Sequence, residues 1–215
     1  MTDLGVNRAV DDEPAHPAAV SLPLPAWMLA ELATVQPLAD DHARMGLVLG
    51  LARSNVEQAT GGPFAAALFS REDGHLLAAG VNLVLATRAP VAHAEIVAIA
   101  LAGARLGTHA IGEQRSVELV TSCQPCAMCL GAMPWAGVTR LVCGARDEDA
   151  RSIGFDEGDK PAGWADRLTE RGIEVVLDVR RDEVVGVLQA YAQAGGPIYN
   201  GAAHDGDAGP YAGRP

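Results

Sequence analysis

The chain has 215 residues, 49% of them hydrophobic and only 4% aromatic, with a formal net charge of −11. That length suits one domain with appendages and a sizeable core built of Ala, Val and Leu rather than rings. The acidic balance, with 16 Lys and Arg against 27 Asp and Glu, excludes a general polyanion binder, whose affinity for phosphate backbones comes from basic residues. No stretch reaches the roughly 18 consecutive apolar residues of a membrane-spanning helix. The longest candidate, Ile96 to Ala104, is short and is bounded by Glu95 and Arg105.

Residues 1–24 form an acidic, Pro-rich stretch (Asp11-Asp12-Glu13-Pro14 at its centre) expected to be a mobile arm. They lack the basic start and apolar segment of a signal peptide, which points to a cytoplasmic protein. Residues 25–200 are expected to be the folded domain, and residues 201–215 a Gly-rich tail.

Pro25 to Val35 reads as a short helix, and Leu38 to Ala59 as a longer one stopped by Thr60-Gly61-Gly62-Pro63. Phe64 to Ser70 and Leu76 to Leu85 read as two strands joined through Glu72-Asp73-Gly74-His75 into a hairpin. Ala92 to Leu106 has a broad apolar face fit to lie on a sheet. A strand from Val117 to Ser122, a helix from Cys126 to Gly137 and a strand from Arg140 to Ala145 follow. After a polar loop from Arg146 to Lys160 come a helix (Ala162 to Arg171), a fifth strand (Ile173 to Val179) and a last helix (Arg181 to Ala194). Strands alternating with helices after an opening hairpin make a three-layer α/β/α domain around a mixed five-stranded sheet.

Three of the four cysteines fall in Thr121-Ser122-Cys123-Gln124-Pro125-Cys126-Ala127-Met128-Cys129. Closely spaced cysteines without a secretion signal are metal ligands rather than disulfide partners. With Pro125 at the helix start, Cys126 and Cys129 stand one turn apart at its positive end, which favours the metal-binding thiolate. A structural zinc knuckle would need a second Cys-x-x-Cys pair, which is absent. An iron–sulfur run would need a fourth cysteine at position 133, which is Met133. The third ligand is His93 in Ala92-His93-Ala94-Glu95, because two consecutive strand–helix units bring their helix starts to one edge of a sheet. One imidazole and two thiolates leave tetrahedral zinc one open position, the mark of a catalytic site. Glu95 can then shuttle protons without ligating the metal. Cys123 is expected to be a buried thiol that does not ligate.

His-x-Glu followed by Pro-Cys-x-x-Cys is the signature of zinc nucleobase deaminases. Residues 61–199 resemble the cytidine deaminase-like superfamily, and within it the guanine deaminase and nucleoside deaminase branch. Gly62-Pro63-Phe64-Ala65-Ala66 resembles that branch's Gly-Pro-Phe-Gly-Ala strand, with Ala65 in place of glycine. Thr121 to Ala132 resembles Thr-Ser-Cys-Glu-Pro-Cys-Pro-Met-Cys-Leu-Gly-Ala, with Gln124 in place of Glu. Ile153-Gly154-Phe155-Asp156-Glu157 resembles the Gly-Phe-Asp-Asp loop, with Glu157 where Asp is frequent.

The resemblance implies zinc held by His93, Cys126 and Cys129, and proton transfer by Glu95. It further implies a purine hydrogen-bonded by Asn82, stacked on Phe64 and read along its amino or N–H edge by Glu157. Taken alone, Asn82 reads equally as a strand-end hydrogen-bonding residue, Phe64 as core and Glu157 as a solvated carboxylate. The resemblance also implies a homodimer in which the C-terminal segment crosses to place an aromatic residue over the other site. Tyr199 is the natural candidate, ahead of Tyr191 and Tyr211. The implied reaction is deamination of a free purine base, guanine to xanthine and ammonia. Other small aminated heterocycles or nucleosides (cytosine, an ammeline-like triazine, a pterin, guanosine) stay open, because the zinc motif acts on any amidine-like carbon. A tRNA adenosine deaminase is disfavoured by the acidic charge, and no nucleic acid or membrane partner is expected.

Overall fold

A computed structural model of the chain describes residues 19–200. The acidic stretch up to residue 18, the tail 201–215 and Tyr211 lie outside the described residues. The elements run α1 (Ala26–Leu32), α2 (Asp41–Glu57), β1 (Ala65–Ser70), β2 (Leu76–Val81), α3 (Val84–Thr87), α4 (Ala94–Leu106) and α5 (Ile111–Gln114). They continue with β3 (Val117–Cys123), α6 (Ala127–Ala136), β4 (Val138–Ala145), α7 (Asp147–Ser152), α8 (Trp164–Glu170), β5 (Glu174–Val176) and α9 (Arg181–Gln193). The sheet has five strands in the order β2-β1-β3-β4-β5, as expected for this mixed architecture. β1 pairs antiparallel with β2 and β3, whereas β3–β4 and β4–β5 are parallel. β2 and β3 therefore point the same way, and their C-terminal ends open on one edge of the sheet.

Strand periodicity divides the core in two. Ala65, Ala67 and Phe69 of β1 join Met45, Val48 and Leu49 of α2 and Val184 and Leu188 of α9 on one face. Ala66 and Leu68 join Ala98 and Ala102 of α4, Leu130 and Met133 of α6 and Leu168 of α8 on the other. Helices on both faces leave every residue of β1 and β3 buried. The small β1 side chains let the helices lie close. On β2, a Cβ at Gly80 would collide with backbone of α4 at Ala94 and Ala98. That glycine seats the helix that begins at His93.

Several parts of the chain depart from the sequence-based reading: α5 is not part of it, and the fifth strand covers Glu174–Val176 rather than Ile173 to Val179. The second strand ends at Val81 rather than Leu85, because the Asn82 side chain accepts from Val84 N–H at 3.2 Å and turns the backbone into α3. The loop after β4 contains α7, whose first turn is acidic; Asp149 accepts from Arg146 N–H at 2.7 Å. Pro125 stands before the N-cap Cys126 rather than at the first helical position, and a second proline, Pro134, sits inside α6.

Glu118 of β3 is 1% exposed, a charge within an otherwise apolar run. Arg44 of α2 donates to its Oε1 at 2.8 Å and Arg140 of β4 to its Oε2. Arg140 also holds Asp41 at 2.6 and 2.7 Å and Glu174 at 2.9 Å, so one ion network ties α2 to three strands. No helix among the described residues is long and apolar enough to cross a membrane.

Candidate metal centre and cavity

Parallel β2 and β3 each run into a helix on the same face of the sheet, and the first residues of those helices meet. His93 is the N-cap of α4 and Cys126 the N-cap of α6, with Cys129 one turn further on. The potential ligand atoms of the three residues lie within 4.8 Å of one another. Cys126 Sγ stands 3.5 Å from His93 Nδ1. Tetrahedral zinc, with bonds of about 2.05 Å to nitrogen and 2.3 Å to sulfur, would set those atoms about 3.6 Å apart. The donor set fits zinc in type and in spacing.

The two ligand thiols are shifted in opposite directions. Cys126 is held down to about 4, first by the hydrogen bond from Cys129 and then, against burial, by His93. Cys129 is pushed up by that same hydrogen bond and by burial. Burial opposes charge on His93, but its hydrogen bond to Cys126 and the nearby charges of Glu95 and Cys126 outweigh it and raise its pKa. A metal ion bound by these donors would displace the remaining thiol proton. Cys123 is 3% exposed, its thiol donates to Arg146 C=O at 3.5 Å, and burial pushes its pKa well up. Its burial matches the sequence-based expectation.

Glu95, two residues past His93, is 6% exposed, and the Thr121 hydroxyl donates to its Oε1 at 3.1 Å. Burial raises its pKa, followed by the charge on Cys126. A carboxyl in such surroundings holds and returns protons readily.

In front of these residues lies a cavity of about 460 Å³, within the range of small-molecule sites. His93, Glu95 and Cys126 line one side; Asn82, Phe64, Glu157 and Tyr199 also line it. His93, Glu95, Cys126, Asn82, Phe64, Glu157 and Tyr199 thus border the same space, whereas Cys129 is fully buried. Asn82 is 2% exposed, its backbone oxygen accepting from Asn55 at 3.1 Å and its side-chain oxygen from Val84. Glu157 is 7% exposed, not solvated, and is pushed up to about 8 by burial, then by the charges of Cys126 and Asp147. Phe64 packs edge-on against Phe155 with ring centroids 4.9 Å apart, so it serves both the core and the cavity wall.

Tyr199 reaches the cavity of its own chain. It packs edge-on against Phe155 at 5.1 Å, and Asn200 clasps the loop before Glu157, accepting from Asp156 N–H at 2.8 Å and donating to Gly154 C=O at 2.9 Å. Tyr191 does not enter; its hydroxyl donates to Pro197 C=O at 2.6 Å and holds the turn leading to Tyr199. Cavity residues that sequence reasoning missed include Arg88, Gln124 and Phe155. Gln124 and Phe155 stood inside the quoted motifs. Arg88, in a left-handed backbone conformation at the end of α3, carried no signal.

The profile described as the cytidine and deoxycytidylate deaminase zinc-binding region matches residues 38–145, from just before α2 to the end of β4. The chain belongs to that family of zinc-dependent deaminases. Among its relatives is the guanine deaminase of Bacillus subtilis, 40% identical over 118 residues that cover 52% of this chain and 72% of that protein. The structure of NE0047 in complex with 2,6-diaminopurine superposes with a TM-score of 0.80 at 46% identity, covering 85% of this chain and 97% of the other. A structure of guanine deaminase from Nitrosomonas europaea gives a TM-score of 0.79 at 44% identity, covering 84% of this chain and all (100%) of that one.

Proposed function

We propose that the chain hydrolyses guanine to xanthine and ammonia, with zinc held by His93, Cys126 and Cys129. The observation that carries this reading is the placement of a buried proton carrier, Glu95, beside the three ligands and on one cavity with Asn82 and Glu157. The similarity to guanine deaminases over nearly their whole length supports the choice of base. Zinc bound there would make a water molecule nucleophilic near neutral pH. Glu95 takes a proton from that water and delivers it to the ring nitrogen beside the amino-bearing carbon. Once the hydroxide oxygen is bonded to that carbon, Glu95 takes the remaining hydroxyl proton and gives it to the amine; the carbon–nitrogen bond breaks, ammonia leaves, and the oxygen stays as the new carbonyl. Asn82 hydrogen-bonds the purine at the cavity wall, Phe64 offers its face to the ring, and Glu157 reads the amino or N–H edge. Tyr199 closes the cavity from the C-terminal side; its hydroxyl is buried without a partner among the described residues. Ammonia release with xanthine formation from guanine, lost on chelation and restored by zinc, is the test.

The chain is further proposed to work as a cytoplasmic homodimer. All four of its cysteines are free, which suits a reducing compartment. The outward face of α6 supports self-association: Trp135 is 87% exposed and Met128 37%, on a helix with no charged residue. With a net charge of −11, two copies meet with least repulsion at a charge-free face.

A further inference from the structure

Glu157 sits on a segment without regular secondary structure between α7 and α8, and something must hold it in register with the metal centre. Three contacts join this segment to the turn that carries Cys126. Ala127 N–H donates to Glu157 C=O at 2.9 Å. Gly158, at φ +67°, lies so that a Cβ on it would stand 3.0 Å from that of Ala127. The third contact comes from a lysine.

Lys160 is the unusual member. Its side chain is 5% exposed, although a solvated lysine is the rule on a polar loop. Its Nζ donates to Pro125 C=O at 2.7 Å, pairs with Asp147 of α7, and lies 5.1 Å from the centre of the Trp164 ring at the start of α8. Each of the three contacts uses a different element, and the one to Pro125 falls on the peptide immediately before Cys126. Burying an ammonium is costly unless its hydrogen bonds are met, and here Pro125 C=O and the Asp147 carboxylate accept them.

We propose that Lys160 is a positioning residue for the reaction: it clamps the segment bearing Glu157 onto the Pro125–Ala127 turn, so that the substrate-reading carboxyl and the metal turn move as one unit. The inference rests on the assignment of Glu157 to substrate recognition. Without the clamp, the segment keeps toward the metal turn the Ala127–Glu157 backbone bond and the packing at Gly158, while Arg151 and Asn200 hold it from other sides. A misplacement near 1 Å costs on the order of 100-fold in rate at a preorganised site.

The experiment is a double-mutant cycle in the zinc-loaded full chain, with Lys160→Met and Glu157→Gln alone and combined, reading kcat, KM for guanine and bound zinc. Lys160→Met is expected to lower kcat/KM about tenfold or more with zinc content unchanged. In the Glu157→Gln background the same change is expected to cost less than about twofold, because residues acting through one another are not additive. Equal losses in both backgrounds, loss of zinc, or a single variant within about twofold of the parent would each overturn the proposal. If Lys160→Met does not fold, Asp147→Asn, which weakens the same clamp from the other end, is put through the cycle with the same criteria. A fully active Glu157→Gln enzyme would instead sink the role given to Glu157, and this inference with it. A silent Lys160→Met beside a defective Glu157→Gln removes the clamp alone.

Discussion

Replacing Glu95 with glutamine separates its proton from every other property of the side chain. The amide has the same length and its oxygen can still accept from the Thr121 hydroxyl, which now donates to Oε1 at 3.1 Å. The exchange leaves His93, Cys126 and Cys129 in place as the three ligands, so zinc content is expected to stay at the parental level. What disappears is the transferable proton, worth roughly 100- to 10,000-fold in rate, or about 3–5 kcal/mol of barrier. Stability should move the other way. Glu95 is 6% exposed and its pKa is raised by burial, so the folded chain carries a carboxyl in poor surroundings for its charge. A neutral amide removes that penalty, and the thermal midpoint is expected to hold or rise. The assay is ammonia release from guanine at saturating zinc, with metal content and melting temperature measured on the same sample. Turnover within tenfold of the parent would refute the proton role. Loss of zinc along with activity would show that Glu95 serves the metal centre instead.

Other expectations concern the rest of the molecule. Glu118→Ala leaves the buried Arg44 without its carboxylate partner, and the cost is expected to be about 3 kcal/mol by urea denaturation; a change under ~1 kcal/mol would show that the network is replaceable. Trp135→Asp is expected to leave a folded monomer in light scattering where the parent is a dimer, and an unchanged mass would rule out the α6 face as the interface. In the metal-free chain, Glu157 keeps its proton up to about 8, against 4.5 for an ordinary glutamate. Its contribution to stability is therefore fully present below pH 4.5 and is lost as pH rises through about 8. Metal-free Glu157→Gln should show a shallower fall in urea midpoint across that window, and identical slopes would contradict the burial argument.

The metal centre could be read in the sequence because its chemistry is carried by spacing. Two residues between Cys126 and Cys129 are one helical turn, and a His at the preceding helix start needs only parallel strands to meet them. The apolar run of β1 and the apolar face of α4 likewise declared the sheet and its layers. Local hydrogen bonds that compete with periodicity were harder to see. The run from Leu76 to Leu85 looks like one long strand, yet the Asn82 side chain ends it at Val81 by bonding Val84 N–H. Glu118 looked like part of an apolar strand, and only the fold brings Arg44, 74 positions away, to its carboxylate. Glu157 stands in acidic sequence, where solvation is the default. Its burial depends on Lys160, Ala127 and the Tyr199 segment coming together, which no local pattern encodes. The place of Tyr199 on the cavity wall is a case of the same kind, because it depends on the C-terminal segment packing against Phe155.

The most direct test is ammonia release by the zinc-loaded protein from guanine, guanosine, cytosine, adenine and ammeline, each at matched concentration. Guanine is expected to be turned over with the highest kcat/KM of the five and to yield xanthine. Absence of ammonia from guanine, or a higher kcat/KM on any of the other four, would contradict the assignment.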